Sequence, residues 1–204
     1  MSTAQTLLYW LPLGAGGHSV RWNGRLFEAY RARREHRPAQ ALYHSALEIR
    51  LGDDRVVIEM TPAWGSRVAE RGVVVEGPVG TRWLGRFVAF RYEIRRWSMG
   101  TIPDAAEAVD SPRLVGSDPL RARRLLELVP RVPALTWGRD ESGTGEMWNC
   151  NSIIAWLLAC SDHDAATMTP PAGGRAPGWR AGLIVAASRC AVASPLSGHR
   201  GHDR

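Results

Sequence analysis

No lysine occurs in these 204 residues: all 26 basic side chains are arginine, against 20 acidic ones, for a formal charge of +6. That charge and a pI of about 10.0 would suit a polyanion partner, but a chain without lysine is explained more cheaply by the codon bias of a GC-rich genome. The arginines are scattered, and only Arg31-Ala32-Arg33-Arg34 and Arg121-Ala122-Arg123-Arg124 form small clusters. A solvated helix face accounts for each, and no nucleic-acid motif accompanies them. A nucleic-acid partner is therefore not expected, while acidic or phosphorylated substrates stay open.

Cysteine is scarce as well. Cys150, Cys160 and Cys190 are an odd count with no spacing of a disulfide framework or a zinc site, so a reducing, cytoplasmic setting is expected and Cys160 reads as a core residue. Long apolar runs are missing. The patch Leu7–Leu13 contains Pro12, lacks a basic leader and is too short to span a bilayer, so no transmembrane segment is expected and the patch reads as a first strand ending at Gly14-Ala15-Gly16-Gly17. That glycine run is followed by no Gly-Lys-Ser/Thr and its dinucleotide fingerprint is incomplete, so a nucleotide site is not expected and His18 reads as a loop histidine. The carboxylates lack metal-ligand spacing, so neither a metal nor another cofactor is expected. His163, between Asp162 and Asp164, reads as a group that satisfies a helix C-terminus, and His199 and His202 belong to a polar tail.

What is present suits one α+β domain over residues 1–187, followed by a disordered tail at 188–204. Its most informative stretch is Trp148-Asn149-Cys150-Asn151-Ser152-Ile153-Ile154-Ala155-Trp156-Leu157-Leu158, where a glycine-containing loop turns into an apolar helix. A helix N-terminus offers unpaired N–H groups and the positive end of a macrodipole, so the spacing predicts a cysteine of lowered pKa at Cys150.

A thiol nucleophile needs a base. Ala41 to Arg50 reads as a strand carrying His44 and Glu48; it enters a turn at Gly52-Asp53-Asp54 and returns through Arg55 to Met60. If the hairpin loop has an even number of residues, His44 and Glu59 project from the same side as near neighbours. The set His44, Glu59, Cys150 then supplies a base, a group to orient it and a nucleophile, with Glu48 in reserve for the acid.

The segment His44-Ser-Ala-Leu-Glu-Ile-Arg-Leu-Gly-Asp-Asp-Arg-Val-Val-Ile-Glu59, followed far downstream by Asn149-Cys150-Asn151-Ser152, resembles the circularly permuted papain-like superfamily. Its members include permuted NlpC-type peptidases, lecithin:retinol acyltransferase-like proteins and PPPDE-type peptidases. The resemblance spans residues 40–160 and implies an antiparallel sheet that carries the histidine and the acid and packs against the cysteine-bearing helix. It implies a thiol hydrolase or acyltransferase that attacks an amide, isopeptide, thioester or ester of a peptide or acyl-containing substrate through an acyl-enzyme. The Cys150 N–H and the Asn149 side chain are the candidate oxyanion donors. A glutamate at the third position departs from the histidine, asparagine or other polar residue more common there. The alternative is a catalytically inactive domain of the same fold that binds peptides or acyl groups.

The remaining elements are expected as follows. A short helix spans Arg25–Arg34, strands lie at Gly72–Glu76 and Arg86–Trp97, and a helix capped by Ser117-Asp118-Pro119 runs through Val129 with Leu120, Leu125 and Leu128 inward. The loop Thr136–Trp148 brings backbone toward a ligand. The stretch Thr169–Trp179 lacks regular structure and folds over the sheet, with Trp179 available to wall the site.

Overall fold

The computed structural model describes residues 3–14, 28–63 and 72–190. Strands β1 (Ala4–Pro12), β2 (Ala41–Leu51), β3 (Asp54–Pro62), β4 (Val73–Pro78), β5 (Arg91–Ser98) and β6 (Arg113–Gly116) form a sheet in the order β4-β5-β3-β2-β1-β6, and β7 (Gly174–Arg175) adds to β2. Every pairing along that path is antiparallel; β7 alone is parallel to its neighbour. Helix α1 includes residues 28–34, and α2 (Pro119–Leu128), α3 (Cys150–Cys160) and α4 (Trp179–Cys190) follow. The class is α+β. Gly14 is a turn residue, whereas the rest of the glycine run and His18 lie outside the described residues, as do His199 and His202.

Alternation along the strands makes two unequal faces. Leu8 and Trp10, Tyr43, Leu47 and Ile49, Val56, Ile58 and Met60, and Tyr92 and Ile94 face the helices and form the main core with Ile153, Ile154, Leu157 and Leu158 of α3. On the other face Leu7, Tyr9, Leu11, Ala46 and Val57 make a smaller cluster, closed by Ile102 and flanked by Trp97 and Ala108. The β2–β3 turn is the two-residue loop Gly52-Asp53, since Leu51 pairs with Asp54. Gly52 supplies the positive φ of 59° that so tight a turn requires.

The outer edge of β2 is interrupted. β2 pairs with β1 along Tyr43–Leu51, but on its other side it pairs with β3 only over Leu47–Leu51 and with β7 only at Ala41 and Leu42. Among the described residues, 43–46 have no strand partner there. Because Leu42 O already accepts the Leu13 N–H on the β1 side, the Tyr43 carbonyl and the Ser45 N–H point into the gap. The N-terminus of α3 fills it.

Several boundaries differ from the sequence reading. Residues 82–86 and 88–90 are 3-10 turns and β5 begins at Arg91, because Phe87, Val88 and Phe90 are exposed and do not alternate inward. Helix α2 ends at Leu128 and buries Ala122, Leu125 and Leu126, leaving Leu120 73% exposed. The stretch 169–179 holds β7 and the first residue of α4. Trp179 is buried against Trp10, with ring centroids 5.0 Å apart, and is not a wall of an open site.

The cysteines need the largest correction. Cys160 is a core residue as expected, but it forms a disulfide with Cys190, with a Cα–Cα distance of 5.7 Å, and Cys150 is the one free cysteine. Spacing alone could not reveal the pair, because a 30-residue excursion returns α4 alongside α3. Helix α4 runs through Cys190, past the expected start of a disordered tail at 188. The bond also removes the basis for expecting a reducing compartment.

Candidate functional site

Asn149 starts α3 in extended conformation, at φ −161° and ψ −167°, and builds a capping box: its Oδ1 accepts the Ser152 N–H at 3.3 Å, while Ser152 Oγ accepts the Asn149 N–H at 3.1 Å. Every residue from Asn151 to Leu158 is buried, so the position of this helix is set by packing on all sides. Asn151 continues into the gap of β2, where its Nδ2 donates to Tyr43 O and to Pro177 O, both at 2.9 Å, and its Oδ1 accepts Ser45 Oγ–H at 2.9 Å.

Cys150, between these two asparagines, is thereby held at the same gap. The backbone N–H groups of Ser45, Asn151 and Cys150 itself all act on its thiol in the direction that stabilises a thiolate. Burial outweighs them and pushes the thiol up to about 11. The lowered pKa expected from the helix terminus is therefore not found, because removing a sulfur anion from water costs more than three backbone dipoles return.

His44 lies on the other side of β2. It shares a face with Ala46 and Glu48, in the layer of Leu11 and Ile102, whereas Tyr43, Ser45 and Leu47 face the helices. The structure thus sets the Cys150 thiol against the N–H of Ser45, the residue next to His44, while the His44 side chain faces the layer away from the helices. Burial lowers the His44 imidazole to about 4, with the Asp104 carboxylate as the opposing influence. At neutral pH thiol and imidazole are both uncharged.

The even, two-residue loop does put His44 and Glu59 on the same face, and both line a small cavity of about 60 Å³ with Leu11, Ala46, Ile102 and Asp104. Glu59, however, is buried beside its cross-strand neighbour Arg95, at 3.6 Å. The acid that acts on His44 is Asp104, which precedes the 3-10 turn Ala105–Glu107 and carried no signal in sequence spacing. Glu48 is engaged by Arg50 at 2.6 Å and by Tyr9 Oη at 3.4 Å. Asn149 is likewise committed: its Nδ2 donates to Pro177 O at 2.9 Å, so the amide proposed as an oxyanion donor is a helix cap tied to the next loop. A cavity of this size lies far below the several hundred Å³ of a substrate pocket.

His163, by contrast, satisfies its own helix end. Its N–H bonds to Leu158 O at 2.9 Å and its Nδ1 meets Ser161 Oγ at 2.9 Å. Among the described residues no group of three His, Cys, Asp or Glu side chains could hold a metal ion, and no helix is long and apolar enough to cross a membrane.

The lowered pKa of His44 makes stability pH-dependent. Above pH 6.5 the ring is neutral in both folded and unfolded chains; between 6.5 and about 4 only the unfolded chain takes up the proton, so stability falls as the pH falls through that window. The expected loss is at most about 3 kcal/mol by pH 4. Urea melts at pH 7 and pH 4.5 check it: His44→Gln should retain more of its neutral-pH stability at pH 4.5 than the natural chain does. An unchanged pH slope in that variant would assign the acid lability to other groups.

Comparison with known proteins adds no relative: no family model, no curated protein and no solved structure matches the chain.

Proposed function

We propose that the chain is a permuted papain-like thiol hydrolase or acyltransferase, with Cys150 as nucleophile and His44 as base, acting on an amide, isopeptide, thioester or ester of a peptide or acyl-containing substrate. The observation that supports this reading is the convergence of three backbone N–H groups on the thiol at the N-terminus of α3. Those donors act in favour of a thiolate and, next to it, an oxyanion, while burial outweighs them and keeps the resting thiol protonated. Proton transfer from Cys150 to His44 requires the imidazole to reach the helix face of β2, and residues 43–46 are where β2 lacks a partner on its β3 side. The thiolate then adds to the carbonyl carbon, His44 returns the proton to the leaving group, and water or another acceptor releases the acyl group. Asp104, which acts electrostatically on His44, orients the ring in this scheme in place of Glu59.

The catalytically inactive reading, a domain that binds peptides or acyl groups, is favoured by one specific observation: His44 and Glu59 project away from α3. A nitrophenyl ester or an acyl thioester, followed by intact-mass measurement, separates the two. Catalysis predicts an acyl adduct on Cys150, absent in Cys150→Ala, with turnover reduced roughly 100-fold or more in His44→Ala. No adduct, together with iodoacetamide alkylation that rises only toward pH 11 and ignores His44, leaves the binding domain. A bonded Cys160–Cys190 pair suits an oxidising compartment better than the cytoplasm.

A further inference from the structure

Only three phenylalanines occur in the chain, and two of them stand exposed on one short segment. In Thr81-Arg82-Trp83-Leu84-Gly85-Arg86-Phe87-Val88-Ala89-Phe90-Arg91 the exposures are 61% for Trp83, 49% for Phe87, 59% for Val88 and 42% for Phe90. Monomeric proteins expose single apolar side chains freely, but four large ones within eight residues make a patch that needs a partner.

The display is ordered. Thr81 Oγ1 accepts the Leu84 N–H at 3.4 Å, and the Phe87 and Phe90 N–H groups return to Leu84 O and Phe87 O, each at 2.9 Å, closing two successive 3-10 turns. Arg91 Nε then bonds Gly85 O at 2.6 Å and holds the base of the loop. Trp83 and Phe87 meet edge to face at 6.0 Å, and the Arg86 guanidinium lies 4.4 Å above the Trp83 ring. The loop therefore presents exposed apolar side chains on an ordered backbone.

Charge indicates what those side chains meet. Arg82 is paired with Glu141 and Arg91 with Glu76, but Arg86 and Arg139, the latter bonded to Gly80 O beside the loop, have no carboxylate partner among the described residues. Aromatic side chains mixed with unpaired guanidiniums are the composition of a segment that sits at a bilayer surface, with rings among the acyl chains and cations at the headgroups. The net charge of +6 adds a long-range attraction to a negative surface. A single-stranded nucleic acid would use the rings and cations, but it offers nothing to the exposed Val88.

We infer that the 82–91 loop docks the protein on an anionic lipid bilayer, with Trp83, Phe87, Val88 and Phe90 inserted at the interface and Arg86 and Arg139 on lipid phosphates. This docking is independent of the thiol chemistry proposed above. The test is co-sedimentation of the full chain with vesicles of phosphatidylcholine alone and of phosphatidylcholine mixed with phosphatidylglycerol. The expected result is binding to the anionic vesicles that weakens at high salt, falls at least about tenfold in Phe87→Ser/Phe90→Ser and several-fold in Arg86→Glu, with thermal unfolding unchanged.

Absence of binding to the anionic vesicles overturns the inference, as does binding that neither variant alters. A lowered melting temperature in the double serine variant overturns it in favour of a segment of the same chain covering the patch. A dimer that the double serine variant dissociates points to a second copy as the partner. Tight binding of a single-stranded oligonucleotide with no vesicle binding assigns the surface to nucleic acid.

Discussion

A chain carrying Cys160→Ser and Cys190→Ser is expected to lose about 3–4 kcal/mol of stability and to melt roughly 10 °C lower. The disulfide closes a 30-residue excursion that contains the return loop, β7 and the whole of α4. Opening it restores the entropy of that loop to the unfolded chain. The two helices run side by side in the same direction. At their first turns Ser152 Oγ donates to Gly178 O at 2.8 Å, and at their last residues the sulfurs are bonded. Helix α4 contributes Trp179, Val185 and Ala186 to the main core, but Ile184 is left 38% exposed, so the disulfide adds to a partly apolar hold. A loss of this size is a large share of the stability of an ordinary domain. Thermal melts of the double serine chain, and of the natural chain with and without reductant, measure it. Equal melting temperatures in all three would mean that packing alone fixes α4.

Gly182→Ala should destabilise the protein by about 2–3 kcal/mol, and Gly182→Leu should prevent α4 from docking. The sign is what makes the alanine variant informative. In a helix interior glycine is worse than alanine by about 1 kcal/mol, so propensity predicts a gain. At Gly182, however, an added Cβ would collide with the backbone carbonyl oxygen of Ser152 and with the Ala155 side chain. A carbonyl in the first turn of α3 cannot move away without disturbing the capping box of Asn149 and Ser152, and with it the Asn151 contacts that anchor Cys150 to β2. Urea unfolding measures the change. A stabilised alanine variant would show that α3 and α4 stand further apart than the structure has them.

The hairpin and the cysteine helix were legible in the sequence for local reasons. Gly52-Asp53 between two alternating runs sets the turn and the register, and Asn149 ahead of an apolar stretch sets the start of α3. The face of His44 follows from the same alternation. Tyr43, Leu47 and Ile49 form the apolar side of β2, while His44, Glu48 and Arg50 form the polar one. A helix as apolar as α3 must lie on the first of these, opposite the histidine. The start of β5 is not legible in the sequence, because the apolar side chains at 87, 88 and 90 alternate like strand core yet are exposed on 3-10 turns.

What the sequence determined by itself is therefore what depends on neighbours along the chain: the α+β class, the hairpin with His44 and Glu59 on one face, the capped helix at Cys150, and no long apolar span. Tertiary structure alone decided which distant groups meet. It brought Cys190 to Cys160, Arg95 to Glu59 and Asp104 to His44, and it placed the half-buried Cys150 at the gap of β2, where desolvation makes its thiol harder, not easier, to ionise. The physical reason is that burial and through-space charge depend on packing across many residues, and a helix terminus lowers a thiol pKa only while desolvation does not exceed it.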